Sequence, residues 1–250
     1  MIDWHARFVQ QAAWTQSLRT YLFTRPAMVN PRRVLEVGCG TGAVLADREL
    51  SSVVHGLDCD LDRLAAAQGH VRTAYLTCGD ALALPYSSGT FDITFCHFLL
   101  LWVRDPLEAL QEMKRVTRSG GAVLALAEPD YEHRLDSPAE LAPLGRWQAQ
   151  ALRLQGADPG LGRRLAALFT QAGIRVVEAG TLTAPARQAP SPKERSLEWA
   201  VLEEDLAGTI PEAKLQRLKE VDEQAWERGE RVLHVPTYYV WGQTRATGQA

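Results

Sequence analysis

The segment VLEVGCGTG, residues 34–42, sets Gly38, Gly40 and Gly42 directly after a short apolar run. A strand that stops in such a turn lets a ligand approach the bare backbone, where other residues would put side chains. Two carboxylates follow at strand or turn positions, Asp58 at the end of VVHGLD and Asp80 in GDALALP. A glycine turn with an acid about twenty residues later is the arrangement of a nucleotide or nucleoside cradle. Glu36 is an acid inside the apolar run that leads into the turn. A buried carboxylate needs a partner, so Glu36 either serves a ligand behind the turn or bonds the turn amides. Asp58 can accept two hydroxyl hydrogen bonds, or it can cap the helix that starts near Asp60. His97, Tyr131 and His133 each follow an apolar run and are the candidate general bases.

The elements that must hold these groups alternate in type. Strands are expected at Arg33–Val37, Val53–Leu57, Val71–Thr77, Phe91–Cys96, Ala122–Ala127, Ile174–Glu178 and Val232–Gly242. Helices are expected at residues 5–23 (as one or two), Ala43–Glu49, Asp60–Gln68, Pro106–Val116, Glu140–Leu154, Gly162–Gln171, Lys193–Leu206 and Glu212–Glu227. Apolar strands alternating with helices predict a parallel sheet covered on both faces. The fold class expected is α/β, a Rossmann-like three-layer sandwich. The division expected is a single domain over 1–250, with an N-terminal helical lid at 1–29 and cap insertions at 129–160 and 183–231.

The chain has 250 residues, 46% of them apolar, and a formal net charge of −3. A mildly acidic balance argues against a general nucleic-acid binder, which needs clustered cations for phosphates. No apolar run is long enough for a membrane span, and no secretory signal opens the chain. Cys39, Cys59, Cys78 and Cys96 form no CxxC pair, so no metal site is expected. A reduced, cytoplasmic protein, monomeric or homodimeric, is the expectation.

Three ligands compete for the cradle. A phosphate loop needs GxxxxGK[ST], and no Lys follows Gly42. A dinucleotide fingerprint wants GxGxxG, whereas the spacing here is GCGTG. S-adenosylmethionine lacks a pyrophosphate, and the loop amides can serve its carboxylate.

The four segments VLEVGCGTG, VVHGLDCD (53–60), GDALALP (79–85) and FDITFCHFLLLWVRDP (91–106) stand in order. Together they resemble the class I S-adenosylmethionine-dependent methyltransferases, in particular the type 11 small-molecule group, over roughly residues 30–128. The resemblance implies a mostly parallel seven-stranded sheet whose final strand, Val232–Gly242, is antiparallel. It implies that Glu36, Gly38, Gly40 and His97 surround the methionine half, and that Asp58 holds the ribose with Cys59 against the adenosine. Asp80 and the Ala81 amide would meet the adenine. The N-terminal helices would close over the cofactor, with Trp4, Trp14 and Tyr21 as candidates.

The chemistry so implied is methyl transfer to a small-molecule acceptor, at an O, N or C centre of a largely apolar metabolite. Trp147, Phe169, Trp199 and Trp226 are candidates for an apolar pocket wall or for packing of the added helices. CHFLLLW at the fourth strand end departs from the Asn- or Asp-Pro-Pro-Tyr/Phe motif of DNA amino methylation, so no nucleic acid is expected. The alternatives are a non-catalytic protein that binds S-adenosylmethionine and an enzyme that uses the sulfonium for another reaction.

Overall fold

The structure is a computed structural model that describes residues 2–25, 28, 30–47, 52–182 and 190–245. The strands are β1 (Arg33–Val37), β2 (Val53–Asp58), β3 (Tyr75–Cys78), β4 (Phe91–Cys96), β5 (Thr117–Pro129), β6 (Leu135–Ser137), β7 (Arg175–Thr181), β8 (Val232–His234) and β9 (Thr237–Gln243). The helices are α1 (Trp4–Trp14), α2 (Gln16–Leu22), α3 (Leu61–His70), α4 (Pro106–Val116), α5 (Pro143–Leu154), α6 (Leu165–Gln171), α7 (Pro192–Asp205) and α8 (Glu212–Glu227). The main sheet runs β3-β2-β1-β4-β5-β9-β7. It is parallel from β3 through β5, and β9 is antiparallel to both β5 and β7.

Alternation along the central strands explains the two covered faces. Leu35, Val37, Val123 and Ala125 point to one face, where Leu110 and Met113 of α4 and Leu165 and Phe169 of α6 meet them. Val34, Ile93, Leu124 and Leu126 point to the other, against Leu22, Met28 and Leu64. Helix α4 forms where expected because Asp105 caps its N-terminus, Pro106 fills the first turn, and Ala109, Leu110, Met113 and Val116 make one buried stripe. A third apolar cluster joins α5, α7 and α8 through Leu144, Ala151, Trp199, Leu202, Leu215 and Leu218. The aromatics Phe169 and Trp199 are therefore packing residues.

Several elements differ from expectation. Among the described residues the helix expected from Ala43 is a single 3-10 turn, Leu45–Asp47; Glu49 lies outside them. The third strand begins at Tyr75 because Val71 caps α3, its N–H bonded to the Ala67 carbonyl. The last strand is split in two at Pro236, which has no N–H to give a ladder. Its first part, β8, pairs with β6 outside the main sheet. The N-terminal segment breaks at Thr15, whose hydroxyl bonds the Ala12 carbonyl. The first part of the expected cap insertion at 183–231, residues 183–189, lies outside the described residues. Among the described residues no helix is long and apolar enough to cross a membrane.

Candidate functional site

Strand order reverses between β1 and β4, and in open α/β sheets the crevice outside the strand C-termini at that point takes the ligand. Gly38, Gly40 and Gly42 all have positive φ there, +74°, +51° and +78°. A Cβ on Gly42 would lie 2.5 Å from Val71 Cγ2, and one on Gly38 would lie 2.6 Å from Leu99 Cδ1. The turn therefore admits nothing larger than glycine at either place.

The turn consumes most of its own donors. Gly38 and Cys39 both donate to the Leu57 carbonyl, at 2.7 and 2.9 Å, and Gly42 donates to the Cys39 carbonyl at 2.8 Å. Gly40 donates to Asp58 Oδ2 at 2.7 Å. Among the described residues only the Thr41 N–H of the turn stays unbonded. The loop amides are thus mostly spent within the chain.

Asp58 is buried, and its Oδ1 accepts the Asp60 N–H at 3.0 Å. Each oxygen of a carboxylate has two lone-pair sites, so each has capacity for one further donor, the number that two vicinal hydroxyls supply. The helix cap proper is Asp60, which accepts from Asp62 and Arg63. On the next turn, Asp80 uses Oδ1 for the Leu82 N–H and its carbonyl for the Ala83 N–H. The Asp80 Oδ2 and the Ala81 N–H remain, an acceptor and a donor side by side. Cys59 is exposed at the end of β2, its thiol pushed up by partial burial and by the Asp58 charge.

Glu36 is 2% exposed, and its Oε2 has no hydrogen-bond partner. Burial pushes its carboxyl well above the usual range; the Arg19 charge opposes that and Asp58 adds to it. Glu36 and Asp58 therefore oppose one another's ionisation beside the turn.

The N-terminal helices cover this cradle with residues that sequence reasoning passed over. Phe8 of α1 would meet a Cβ on Gly40 at 3.4 Å, and Trp4 lies against Phe8 rather than on the turn. His5 Nδ1 is 2.8 Å from Thr41 Oγ1, and its ring stacks on His70 with centroids 3.6 Å apart. Arg19 is 2% exposed on α2. Ala12, Thr15, Arg19 and Leu22 are all buried, and their 3-4-3 spacing was a legible helical stripe. Tyr21 is not brought to the cradle. Its hydroxyl donates to Glu178 of β7, four strands from β1 and so about 19 Å across the sheet.

Beyond the cradle lies the end of β4. Thr15 Oγ1 is 3.1 Å from His97 Nε2. Burial, and secondarily Arg19, push the His97 pKa down to about 3. Phe98 has φ +52°, an uncommon conformation for a residue with a side chain and a mark of strained functional segments. Glu128, wholly buried, holds the turn after it by accepting the N–H groups of Leu99, Leu100 and Leu101 at 3.1, 2.9 and 3.2 Å. Trp14 meets Phe98 edge-on at 6.2 Å, and Arg7 lies over Trp14.

Tyr131 packs against the core cluster, and burial pushes its phenol up to about 12, with Arg7, Glu198, Asp205 and Arg134 as the charges around it. His133 is exposed on a surface cluster, with Nδ1 at 2.9 Å from Asp130 Oδ2 and 2.6 Å from Arg163 Nη1. Behind Tyr131 runs a chain of ions: Arg7–Glu198 at 2.7 Å, Arg134–Asp136 at 2.8 Å, Arg231–Asp136 at 2.6 Å and Arg231–Asp222 at 2.5 Å. It ties α1, α7, β6 and α8 together, and Asp222 also accepts the Trp199 indole N–H. No group of side chains among the described residues could hold a metal ion.

With this crevice at the end of a sheet so ordered, the chain has the fold of the class I S-adenosylmethionine-dependent methyltransferases. Residues 35–125 match the family model described as a methyltransferase domain. Malonyl-acyl-carrier-protein O-methyltransferase of Halorhodospira halophila is 37% identical over 117 residues, 44% of this chain and 40% of that protein. Ajmaline N-methyltransferase of Rauvolfia serpentina is 31% identical over 118 residues, again 44% of this chain and 40% of that one. The chain thus spans less than half the length of these curated relatives. Among solved structures, the cyclase SpnF superposes with a TM-score of 0.56 at 19% identity, covering 92% of this chain and 81% of that one.

Proposed function

We propose that this chain binds S-adenosylmethionine in the cradle and transfers its methyl group to a small organic acceptor at an O, N or C centre. The observation that carries the reading is Glu36 Oε2, buried and unpartnered at the head of the glycine turn. It wants a donor, and the methionine ammonium is one. Asp58 fits a ribose diol, and Asp80 Oδ2 with the Ala81 N–H fits the amine and ring nitrogen of adenine. When bound, S-adenosylmethionine supplies a methyl group on a sulfonium leaving group.

The chain's own part is to bind, orient and exclude water. Phe8 and the α1 helix cover the turn. Glu128 fixes the backbone that presents His97 and Phe98. His97, with a pKa of about 3, stays neutral and adds no positive charge beside a sulfonium. The same value makes it a poor base, and Tyr131, pushed up to about 12, stays protonated. The acceptor's body is assigned to the space bounded by Trp14, Phe98 and Tyr131, under a lid at 1–29 and a cap built from 129–160 and 183–231. Four free cysteines suit a reducing compartment such as the cytoplasm.

Calorimetry with S-adenosylmethionine, S-adenosylhomocysteine and NAD tests the reading. Both sulfur nucleosides should bind and NAD should not. A methyl-labelled donor with a panel of small carboxylates, amines and phenols then tests transfer. NAD binding without either sulfur nucleoside would overturn it.

A further inference from the structure

Three elements meet at the edge of the glycine turn. Helix α1 comes to it with Phe8 beside Gly40. The end of α3 comes to it with Ala67 and Val71, which fill the space beside Gly42. His5 of α1 joins them. Its Nδ1 lies 2.8 Å from Thr41 Oγ1 in the turn. Its ring lies flat on that of His70, the last residue of α3, with centroids 3.6 Å apart and planes 6° from parallel. One imidazole thus fastens α1 both to the turn and to α3.

That contact depends on charge. The stack is tolerated while at least one ring is neutral, whereas two imidazolium rings set two positive charges face to face. Imidazole is also the side chain whose ordinary titration falls between pH 5 and 8. Burial lowers the His5 pKa below 6.5, the His70 charge lowers it further, and Asp3, which caps α1, opposes both. The remaining charges of the elements packed here are engaged elsewhere or stand further off. Arg63 of α3 lies over the Phe8 ring at 5.6 Å and pairs with Asp60 at 3.3 Å. Asp62 sits in the first turn of α3, at the opposite end from His70, and Arg72 follows that helix. Asp58, behind the turn, accepts the Gly40 N–H. Docked α1 therefore holds the His5 proton more weakly than free α1 does. Docking is favoured in full above pH 6.5, and the advantage is lost as pH falls through the lowered value.

We propose that the stacked pair His5–His70 is a pH-sensitive latch that holds α1 over the cradle near neutral pH and releases it in mild acid. The Thr41 bond is not the sensor, because a protonated Nδ1 still donates to a hydroxyl. The sensor is the meeting of two charged rings. For a bound nucleoside the consequence is kinetic, since release of α1 uncovers the turn and shortens residence.

The kinetic consequence rests on the cofactor reading above, so one measurement is made without ligand. Amide exchange of residues 4–14 in the full chain is followed at about pH 8 and about pH 5.5, each rate referred to the unprotected rate at that pH. Wild-type protection should fall by about threefold or more in acid, and His5→Gln, which keeps polar atoms for Thr41 but does not titrate, should stay within about twofold. His70→Gln changes an exposed residue, so it serves even if His5→Gln fails to fold, and its loss should be smaller than that of the wild type. Release of S-adenosylhomocysteine by stopped flow should follow the same pattern, faster by about threefold or more in acid for the wild type. Wild-type protection that is unchanged in acid overturns the latch, as does an equal loss in wild type and His70→Gln. Wild type that binds no S-adenosylhomocysteine at either pH overturns the cofactor reading, while the ligand-free exchange judges the latch by itself.

Discussion

Asp58 Oδ2 accepts the Gly40 N–H at 2.7 Å, so the residue that ends β2 also shapes the turn that ends β1. On the proposed reading, ligand binding and turn geometry are therefore coupled at one side chain. Asp58→Ala should lose affinity for S-adenosylhomocysteine by more than about tenfold and also lower stability by about 1–2 kcal/mol, because a buried N–H loses its acceptor. Asp58→Asn, which keeps one oxygen, should separate the two effects, with most of the stability retained and affinity still reduced. Calorimetry and urea denaturation on the same samples give both numbers.

Gly42 should tolerate no side chain. Its φ of +78° and the 2.5 Å approach to Val71 Cγ2 both oppose a Cβ. Gly42→Ala should cost about 1–3 kcal/mol. The denaturation midpoint checks this, and a midpoint equal to wild type contradicts it.

Glu128 gives a pH dependence with a definite sign. Burial raises its carboxyl from 4.5 to about 7, against the pull of three backbone N–H donors. Between those values the folded chain holds a proton that the unfolded chain has lost. This group's contribution is therefore full below pH 4.5 and is lost as pH rises through 7. Glu128→Gln removes the titration but leaves one backbone N–H short of an acceptor. Relative to wild type, the variant should be less stable at pH 5 and should recover by about 1–3 kcal/mol by pH 8. Paired urea curves at the two pH values test the difference, and parallel pH profiles would refute it.

Arg7 and Glu198 join the first helix to α7 at 2.7 Å, with Arg7 at 4% exposure. Removing Arg7 leaves Glu198 with only the longer contact to Arg134 at 4.0 Å, and removing Glu198 leaves the buried Arg7 with no carboxylate but only the Gln10 amide oxygen. Arg7→Ala and Glu198→Ala should each destabilise by about 2–4 kcal/mol, and the double variant should cost at least about 1 kcal/mol less than their sum. Strict additivity would show that the pair does not couple.

The sheet and the cradle were legible because their signals are local. The glycine turn, the acids at Asp58 and Asp80 and the apolar alternation of β1, β4 and β5 all sit within short windows of sequence. Helix α4 carries its own cap, proline and buried stripe, and its bounds match the expectation. What was hidden depends on contacts between distant segments. Arg19 reads as an ordinary helix arginine until α2 is laid over β1 and β4. Glu128 is one more acid at the end of an apolar run until the turn at Leu99–Leu101 is brought to it. Tyr21 reads as a lid aromatic until its partner Glu178 is known. Trp199 reads as a pocket wall until its indole is seen on Asp222.

The place of β9 also sets an order of assembly. Among the described residues β7 has no strand neighbour except β9, and β9 separates it from β5. During synthesis the strands up to β5 can pair as they emerge, and the cradle with them. β7 must wait as an unpaired strand until residues 237–243 have been made and slotted in beside β5. The nascent chain can thus own a finished cradle while its sheet is still open on the far edge, where β5 presents an unpaired row of backbone groups.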